Sequence, residues 1–274
     1  MAMLEINKVS KAFGGVQATS DLSLNVNEGE IVSVIGPNGA GKTTLFNLVT
    51  GVYKPDSGDI RFLGKSIAGL STNKIVDLGI ARTFQNLRLF MNLTVLENVL
   101  IPQHHKLRST WLAAVLRTPG YRRQEKRMHE VALEKLSFFG PRLMSFRLYQ
   151  PVYVLSYANR RRTEMARAMA TGAKLLLLDE PSAGMNPSET IEITRIIRRM
   201  RDEGGYTILL VEHKMNLVGE ISDRVVVLDY GRKIAEGQYR DVVNDPSVIE
   251  AYLGKKAAEQ KAEEKVEGQA GGPL

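Results

Sequence analysis

Apolar residues recur along this chain with two different periods. Near the start, "LEINKV" alternates apolar and polar side chains, as a strand with one buried face does, and "LSLNV" repeats the pattern. "EIVSVIG" is a short, nearly continuous β-branched run ending in glycine, which predicts a fully buried strand. "SGDIRFLG" predicts another strand after a turn. Further on, "KLLLLDEP" and "YTILLVEH" predict buried strands. "RVVVLDYGRKIAEG" predicts a hairpin turning at Asp229, Tyr230 and Gly231. Elsewhere the period is helical. "LTVLENVLI" and "QEKRMHEVALEKLSFF" have helical spacing, broken at Pro102, Pro119, Pro141 and Pro151. "SETIEITRIIRRMRDEG" puts Ile193, Ile196, Ile197 and Met200 on one face and arginines on the other.

Strands alternating with helices imply a parallel sheet with right-handed crossovers. Residues from about 87 to 162 read as a mostly helical lobe inserted into an α/β core. No repeat at a fixed period is present, which excludes solenoids and propellers. The stretch 255–274 is rich in Lys, Glu and Ala and ends "GQAGGPL", so a fraying helix and then disorder are expected there.

Composition narrows this picture. A length of 274 residues suits one large domain, or two small lobes sharing a core. The apolar share of 43% and charged share of 24% are ordinary for a globular chain able to bury its own core. Without cysteine, disulfides and thiolate metal sites are excluded. The start shows no charged segment followed by an apolar run, so no signal peptide is expected. The longest apolar runs, at 175–178 and 225–228, are far too short to span a bilayer. The net charge of +7 admits an anionic partner, but the arginines are scattered without interleaved aromatics. A solvated basic surface therefore accounts for the charge better than nucleic-acid binding does.

The chemistry starts at "GPNGAGKTT", residues 36–44, between the buried strand and the helical "LFNLVTG". It satisfies G-x-x-x-x-G-K-[ST], the phosphate-loop pattern, in the strand-loop-helix context that pattern needs. Gly36, Gly39 and Gly41 allow a tight turn and close backbone approach to a phosphate. Pro37, Asn38 and Ala40 fill the loop, whose backbone N–H groups form an anion nest ahead of a helix N-terminus. Lys42 can reach β- and γ-phosphates, Thr43 can ligate magnesium, and Thr44 closes the motif. A second group lies in "LLLLDEPSAGMNP", where a strand ends in Asp179 and Glu180. Two carboxylates there sit at the carboxyl edge of a parallel sheet, where ligands bind in such folds. Asp179 suits the magnesium shell, and Glu180 suits a general base acting on water. Alone, such a pair is most often two solvated acids; beside a phosphate loop it reads as chemistry.

Together these motifs resemble an ATP-binding-cassette (ABC) ATPase over nearly the whole chain, from about Leu4 to Gly254. "GPNGAGKTT" resembles the family's Walker A motif and "LLLLDE" its Walker B motif. Gln85 in "ARTFQNLRLF" matches the Q-loop glutamine, which in the family touches magnesium and the attacking water. His213 in "LLVEHKM" matches the switch histidine that contacts the γ-phosphate. Phe13 in "KAFGGVQA" stands where the family stacks an aromatic ring on adenine. "SAGMNP" matches the D-loop, with Asn186 where aspartate is commoner. The resemblance implies a P-loop NTPase core with a mainly parallel sheet, an antiparallel β subdomain and an inserted helical subdomain. A single cassette domain would span 1–254, with ATP and Mg²⁺ as cofactors. His104, His105 and His129 match no motif and read as surface residues.

The family's signature, usually L-S-G-G-Q, binds the γ-phosphate of ATP held by the other subunit of a head-to-tail dimer. Here Leu155, Ser156, Tyr157, Ala158 and Asn159 stand in its place. Ser156 is retained. Ala158 adds a β-carbon, at a cost of roughly 1 kcal/mol or more if φ must be positive. Asn159 is one methylene shorter than glutamine. The expectation is a weakened signature rather than an abolished one.

The "GMNP" D-loop and "FQNLRLFMNLTVLENVL" look like the ATPase subunits of branched-chain amino-acid importers. That resemblance implies permease subunits, a second cassette and, indirectly, an extracytoplasmic binding protein, but no nucleic acid. It places the chain peripherally on the cytoplasmic face of the inner membrane. Related polar small molecules such as amides, urea or aromatic acids stay open as the transported substrate, and the alternatives to an importer subunit are a soluble cassette protein of translation or repair and a regulator with weak turnover. The first usually carries two cassettes or a long coiled coil, and this chain has neither.

Overall fold

The structure, a computed structural model, describes residues 2–106 and 111–253. In chain order it begins with β1 (Ala2–Phe13), β2 (Val16–Asn27), β3 (Ile31–Ile35), α1 (Lys42–Val49), β4 (Ser57–Phe62) and β5 (Lys65–Ser66). Next come α2 (Thr72–Leu78), β6 (Ile80–Arg82), α3 (Val95–Leu100), α4 (Trp111–Val115), α5 (Pro119–Ser137) and α6 (Tyr157–Ala170). Then follow β7 (Leu175–Asp179), α7 (Pro187–Asp202), β8 (Thr207–Val211) and α8 (Met215–Ile221). The last elements are β9 (Arg224–Asp229), β10 (Arg232–Gly237), α9 (Tyr239–Val242) and α10 (Pro246–Leu253). The expectation for 255–274 lies outside the described residues.

The chain divides into two compact units, Met1–Thr72 with Leu209–Leu274, and Asn73–Ile208. In the first, an antiparallel sheet runs β2-β1-β4-β5. Its alternation is as read: Leu4, Ile6, Leu22, Leu24 and Val26 are buried. Both leading strands extend to twelve residues, well past their alternating cores. Gly14 and Gly15, with φ of 52° and 87°, turn the chain between them, and register shifts along the pair scramble the pattern there. The second sheet of this unit places β3 parallel to β9 and β10 antiparallel to β9. Ile35, Val218, Val225, Val227, Val242 and Val248 form one apolar cluster, which seats α8, α9 and α10 on these strands. The predicted hairpin turns on Tyr230 and Gly231, at φ 41° and 77°, while Asp229 pairs with Arg232. Positive φ at both central residues is the two-residue turn that suits twisted strands.

In the second unit β6 runs parallel to β7. The three-residue β6 was not legible, being too short to show a period. The α6 helix buries Met165, Ala166 and Met169 fully, and α7 buries Ile193, Ile197 and Met200. Pro119 begins α5 rather than breaking a helix: it follows the N-cap Thr118, where a proline lacks nothing the helix needs. Thr94 and Glu97 cap α3 reciprocally.

Candidate functional site

The loop between β3 and α1 is held by its glycines. Gly36, Gly39 and Gly41 have φ of 149°, 82° and 100°. A β-carbon on Gly36 would lie 2.1 Å from the Leu228 carbonyl oxygen, and one on Gly41 2.6 Å from that of Ala18. Two of the three glycines are thus required by neighbouring backbone, a reason the sequence reading did not include. At Gly39 a β-carbon would meet nothing within 4 Å. Ala40 and Gly231 fasten the loop to the β9–β10 turn through a 3.0 Å backbone hydrogen bond. Lys42 Nζ donates to the carbonyls of Gly36 and Pro37, at 2.7 and 2.8 Å. The lysine is 7% exposed, so its ammonium is drawn across the loop rather than out to solvent. Asn38, Gly39 and Thr43 are exposed, and Thr44 is half-buried. No acidic side chain stands in the first turn of α1, so the positive end of that helix is not neutralised by its own residues.

The same unit carries Phe13 and His213. Phe13 is 41% exposed at the end of β1. The ring of Tyr53 meets it edge-on at 4.9 Å, and Lys11 Nζ lies 5.4 Å from its centroid. Tyr53 carries no motif, so nothing in the sequence announced it. His213 is exposed just after β8. The buried Glu212 carboxylate accepts from the backbone N–H of His213 and of Lys214, at 3.0 and 3.2 Å, and shapes the turn that presents the histidine.

In the other unit, β7 ends at the buried Asp179. Arg82 Nη2 donates to Asp179 Oδ2 at 2.8 Å, with both side chains 6% exposed. Thr83 Oγ1 accepts from the Asp179 backbone N–H. Glu180 is half-buried with φ of 47°, a conformation unusual for a non-glycine residue, and Gln85 Nε2 donates to its Oε2 at 3.3 Å. Gln85, Asp179 and Glu180 are therefore brought together, with Arg82 added as a partner that no motif predicted.

Behind Gln85 lies a buried ion pair. Arg161 and Glu164, one turn apart on α6, meet at 3.0 Å and are 0% and 1% exposed. Arg161 donates to the carbonyls of Phe84 and Gln85, and to the Tyr157 hydroxyl at 3.1 Å. Glu164 accepts from the backbone N–H of Phe84 and of Arg88, at 3.4 and 3.3 Å. Burial pushes the Glu164 carboxyl up from the usual range, while Arg161 and those two amides pull it down. One helix thus grips both edges of the Gln85 loop.

The altered signature opens that helix. Exposed Ser156 is the N-cap of α6, and its hydroxyl accepts from the Asn159 N–H at 3.4 Å. Ala158 lies in the first helical turn, 3% exposed and not at positive φ, so the left-handed cost considered for it does not arise. Asn159 turns inward: its Oδ1 accepts from Arg162 at 2.8 Å, and Arg162 meets Glu192 at 3.0 Å. Its reach is spent inside the fold, so its shortness against glutamine is not the relevant quantity. The Tyr157 ring covers Gly184, where a β-carbon would come within 3.1 Å of it. Asn186 caps α7 through a reciprocal pair with Glu189, a role Asn fills as well as Asp. His104 is exposed, His129 half-buried, and the His105 side chain lies outside the described residues.

These residues fit a nucleotide and a hard cation. The open side of Gly39 and the bare N-terminus of α1 suit phosphate oxygens. In the first unit the exposed Thr43 hydroxyl, and in the second the Asp179 carboxylate beside the Gln85 amide, are oxygen groups of the kind Mg²⁺ prefers.

The ABC transporter family profile matches residues 19–183, and a profile for the branched-chain amino acid ATP-binding cassette transporter matches residues 232–258. The chain is 44% identical over 253 residues to the high-affinity branched-chain amino acid transport ATP-binding protein BraF of Pseudomonas aeruginosa, covering 92% of this chain and 98% of that one. Among solved structures it is similar to the ADP conformation of an ATP-binding cassette of an ABC transporter, at a TM-score of 0.79 and 31% identity, covering 93% and 100% of the two chains. A dimeric post-hydrolysis cassette bound to ADP and Pi matches at a TM-score of 0.72 and 25% identity, over 87% of this chain and 99% of that one. The phosphate loop on α1, the acids closing β7 and these matches agree: the chain belongs to the ABC transporter family, as one of its ATP-binding cassettes.

Proposed function

We propose that this chain is the ATP-hydrolysing subunit of an importer for branched-chain amino acids. Residues 1–254 work as one cassette with a helical lobe over 87–162. The observation that carries the hydrolytic part is the pairing of Gln85 with Glu180 directly after the clamped Asp179. The identity with BraF over 92% of the chain supports the substrate class.

In this reading Gly36, Pro37, Asn38, Gly39, Ala40, Gly41, Lys42, Thr43 and Thr44 cradle the phosphates, and Phe13 stacks on the base. Thr43, Asp179 and Gln85 would hold magnesium, which would supply charge neutralisation at the phosphates. Glu180 accepts a proton from the attacking water that Gln85 helps to orient, and His213 hydrogen-bonds the terminal phosphate. Ser156 and the first-turn amides of Tyr157, Ala158 and Asn159 serve the nucleotide of a second cassette in a head-to-tail dimer. The partners are permease subunits, that second cassette and, through them, an extracytoplasmic binding protein. The chain works peripherally, at the cytoplasmic face of the inner membrane; no described helix is long and apolar enough to cross one.

The test is uptake by vesicles reconstituted with the chain, its permease and its binding protein. ATP-dependent accumulation of leucine, isoleucine or valine, abolished by Glu180→Gln, is expected. Accumulation of another solute class with none of these three would refute the substrate assignment and leave the hydrolytic one standing.

A further inference from the structure

Between Glu97 and Glu125 the chain has no acidic residue: positions 98–124 contain Lys106, Arg108, Arg117, Arg122 and Arg123 and not one aspartate or glutamate. Within this stretch three large apolar side chains face solvent. Leu112, Val115 and Leu116 are 51%, 72% and 71% exposed. Leu112 and Val115 sit on α4 and Leu116 directly follows it, ahead of the N-cap Thr118 of α5. The turn between the helices is tightly specified. Thr118 N–H donates to the Ala113 carbonyl at 3.1 Å and Arg117 N–H to that of Ala114 at 3.2 Å, a Schellman closure. Its left-handed position, at φ 45°, is held by Arg117. Glycine is the ordinary occupant there, and a non-glycine residue at a strained dihedral is a reason to look for a use of its side chain. Arg117, Arg122 and Arg123 are all exposed, and none has an ion-pair partner among the described residues.

We propose that the α4–α5 turn is a membrane-surface anchor, in which Leu112, Val115 and Leu116 enter the interfacial region of an anionic bilayer while Arg117, Arg122 and Arg123 meet lipid phosphates. A short apolar knuckle rimmed by uncompensated arginines combines hydrophobic insertion with attraction to anionic headgroups. The missing acids matter as much as the arginines, because one carboxylate at such a rim would repel the surface that the cations attract. Arg117 stands at the turn and Arg122 and Arg123 early in α5, so all three cations lie close in sequence to the apolar tip. Glu125, exposed one turn after Arg122, bounds the cationic patch, and the exposed apolar trio before the turn is what favours a bilayer over an acidic protein surface. The anchor requires neither nucleotide nor permease, so it stands or falls apart from the hydrolytic reading.

Cosedimentation of the purified full chain with vesicles tests it, without nucleotide. The chain pellets with phosphatidylcholine–phosphatidylglycerol vesicles and stays soluble with phosphatidylcholine alone. The pair Leu112→Ser and Leu116→Ser lowers the bound-to-free ratio about tenfold, as expected for removing two inserted side chains. Arg122→Gln with Arg123→Gln lowers it and flattens its salt dependence. Lys65→Gln with Lys74→Gln removes equal charge elsewhere and leaves binding unchanged. Arg117→Gly keeps the turn fold and also weakens binding, which separates lipid contact from misfolding. Three results would overturn the proposal: no binding to anionic vesicles, equal loss in the Lys65 and Lys74 control, or binding that needs the permease and ignores the arginines. The last would assign the face to a protein partner.

Discussion

Ala158 shows how far one residue's effect depends on its backbone. A glycine-to-alanine change at a phosphate-binding loop reads as strain, but here the residue lies in the first turn of α6 with its methyl buried. Alanine then favours the helix, because glycine costs about 1 kcal/mol more in a helical turn. Ala158→Gly is predicted to lower stability by that amount, seen as an earlier urea midpoint, with no gain in ATP turnover. A clear gain in turnover would restore the view of this signature as weakened. The same logic separates what single residues revealed. Lys42, Asp179 and Glu180 were legible because their motifs demand them. Arg82, Tyr53 and Glu212 were not, because each acts through a partner distant in sequence or through a backbone turn.

At the scale of elements, α6 is the piece that joins functions. Its first turn presents Ser156, and its second places Arg161 and Glu164 on the backbone of the Gln85 loop. A buried ion pair is a weak source of net stability, but losing one partner leaves the other charged in a dry site. Arg161→Met is predicted to cost about 3 kcal/mol by that route. It is also predicted to speed hydrogen exchange at the Phe84 and Arg88 amides ahead of the rest of the unit. Unchanged protection at those amides would show that the pair does not hold the loop. Elements with a sustained period, α5, α7, β3 and β7, could be read in advance. The three-residue β6 and the long ends of β1 and β2 could not, since tertiary pairing rather than side-chain alternation extends them.

Over the whole molecule, charge sets the response to acid. Arg224 binds Glu30 at 2.9 Å and also pairs with Glu236, tying β9 to the start of β3 and to β10. Burial alone would raise both carboxyls. Burial is the largest single influence, but for Glu30 Arg224 and the Asn27 hydrogen bonds together outweigh it, and for Glu236 Lys233 and Arg224 together do, so both lie below the ordinary value of 4.5. As pH falls, the unfolded chain takes up these protons first. The stability from these pairs is therefore present above pH 4.5 and lost as pH drops through the lower folded values. Urea midpoints measured across that window should fall more steeply for wild type than for Arg224→Met, which is less stable at neutral pH. Parallel curves would contradict the assignment.

The central claim is that this chain carries its own catalytic base. Steady-state ATP hydrolysis by the chain, assembled with its permease and second cassette, tests that most directly when run beside Glu180→Gln. A general base contributes roughly 10²- to 10⁴-fold, so turnover at the site this chain supplies is predicted to fall by about that factor while nucleotide binding persists. A Glu180→Gln complex that binds ATP and turns it over at the wild-type rate would contradict the account.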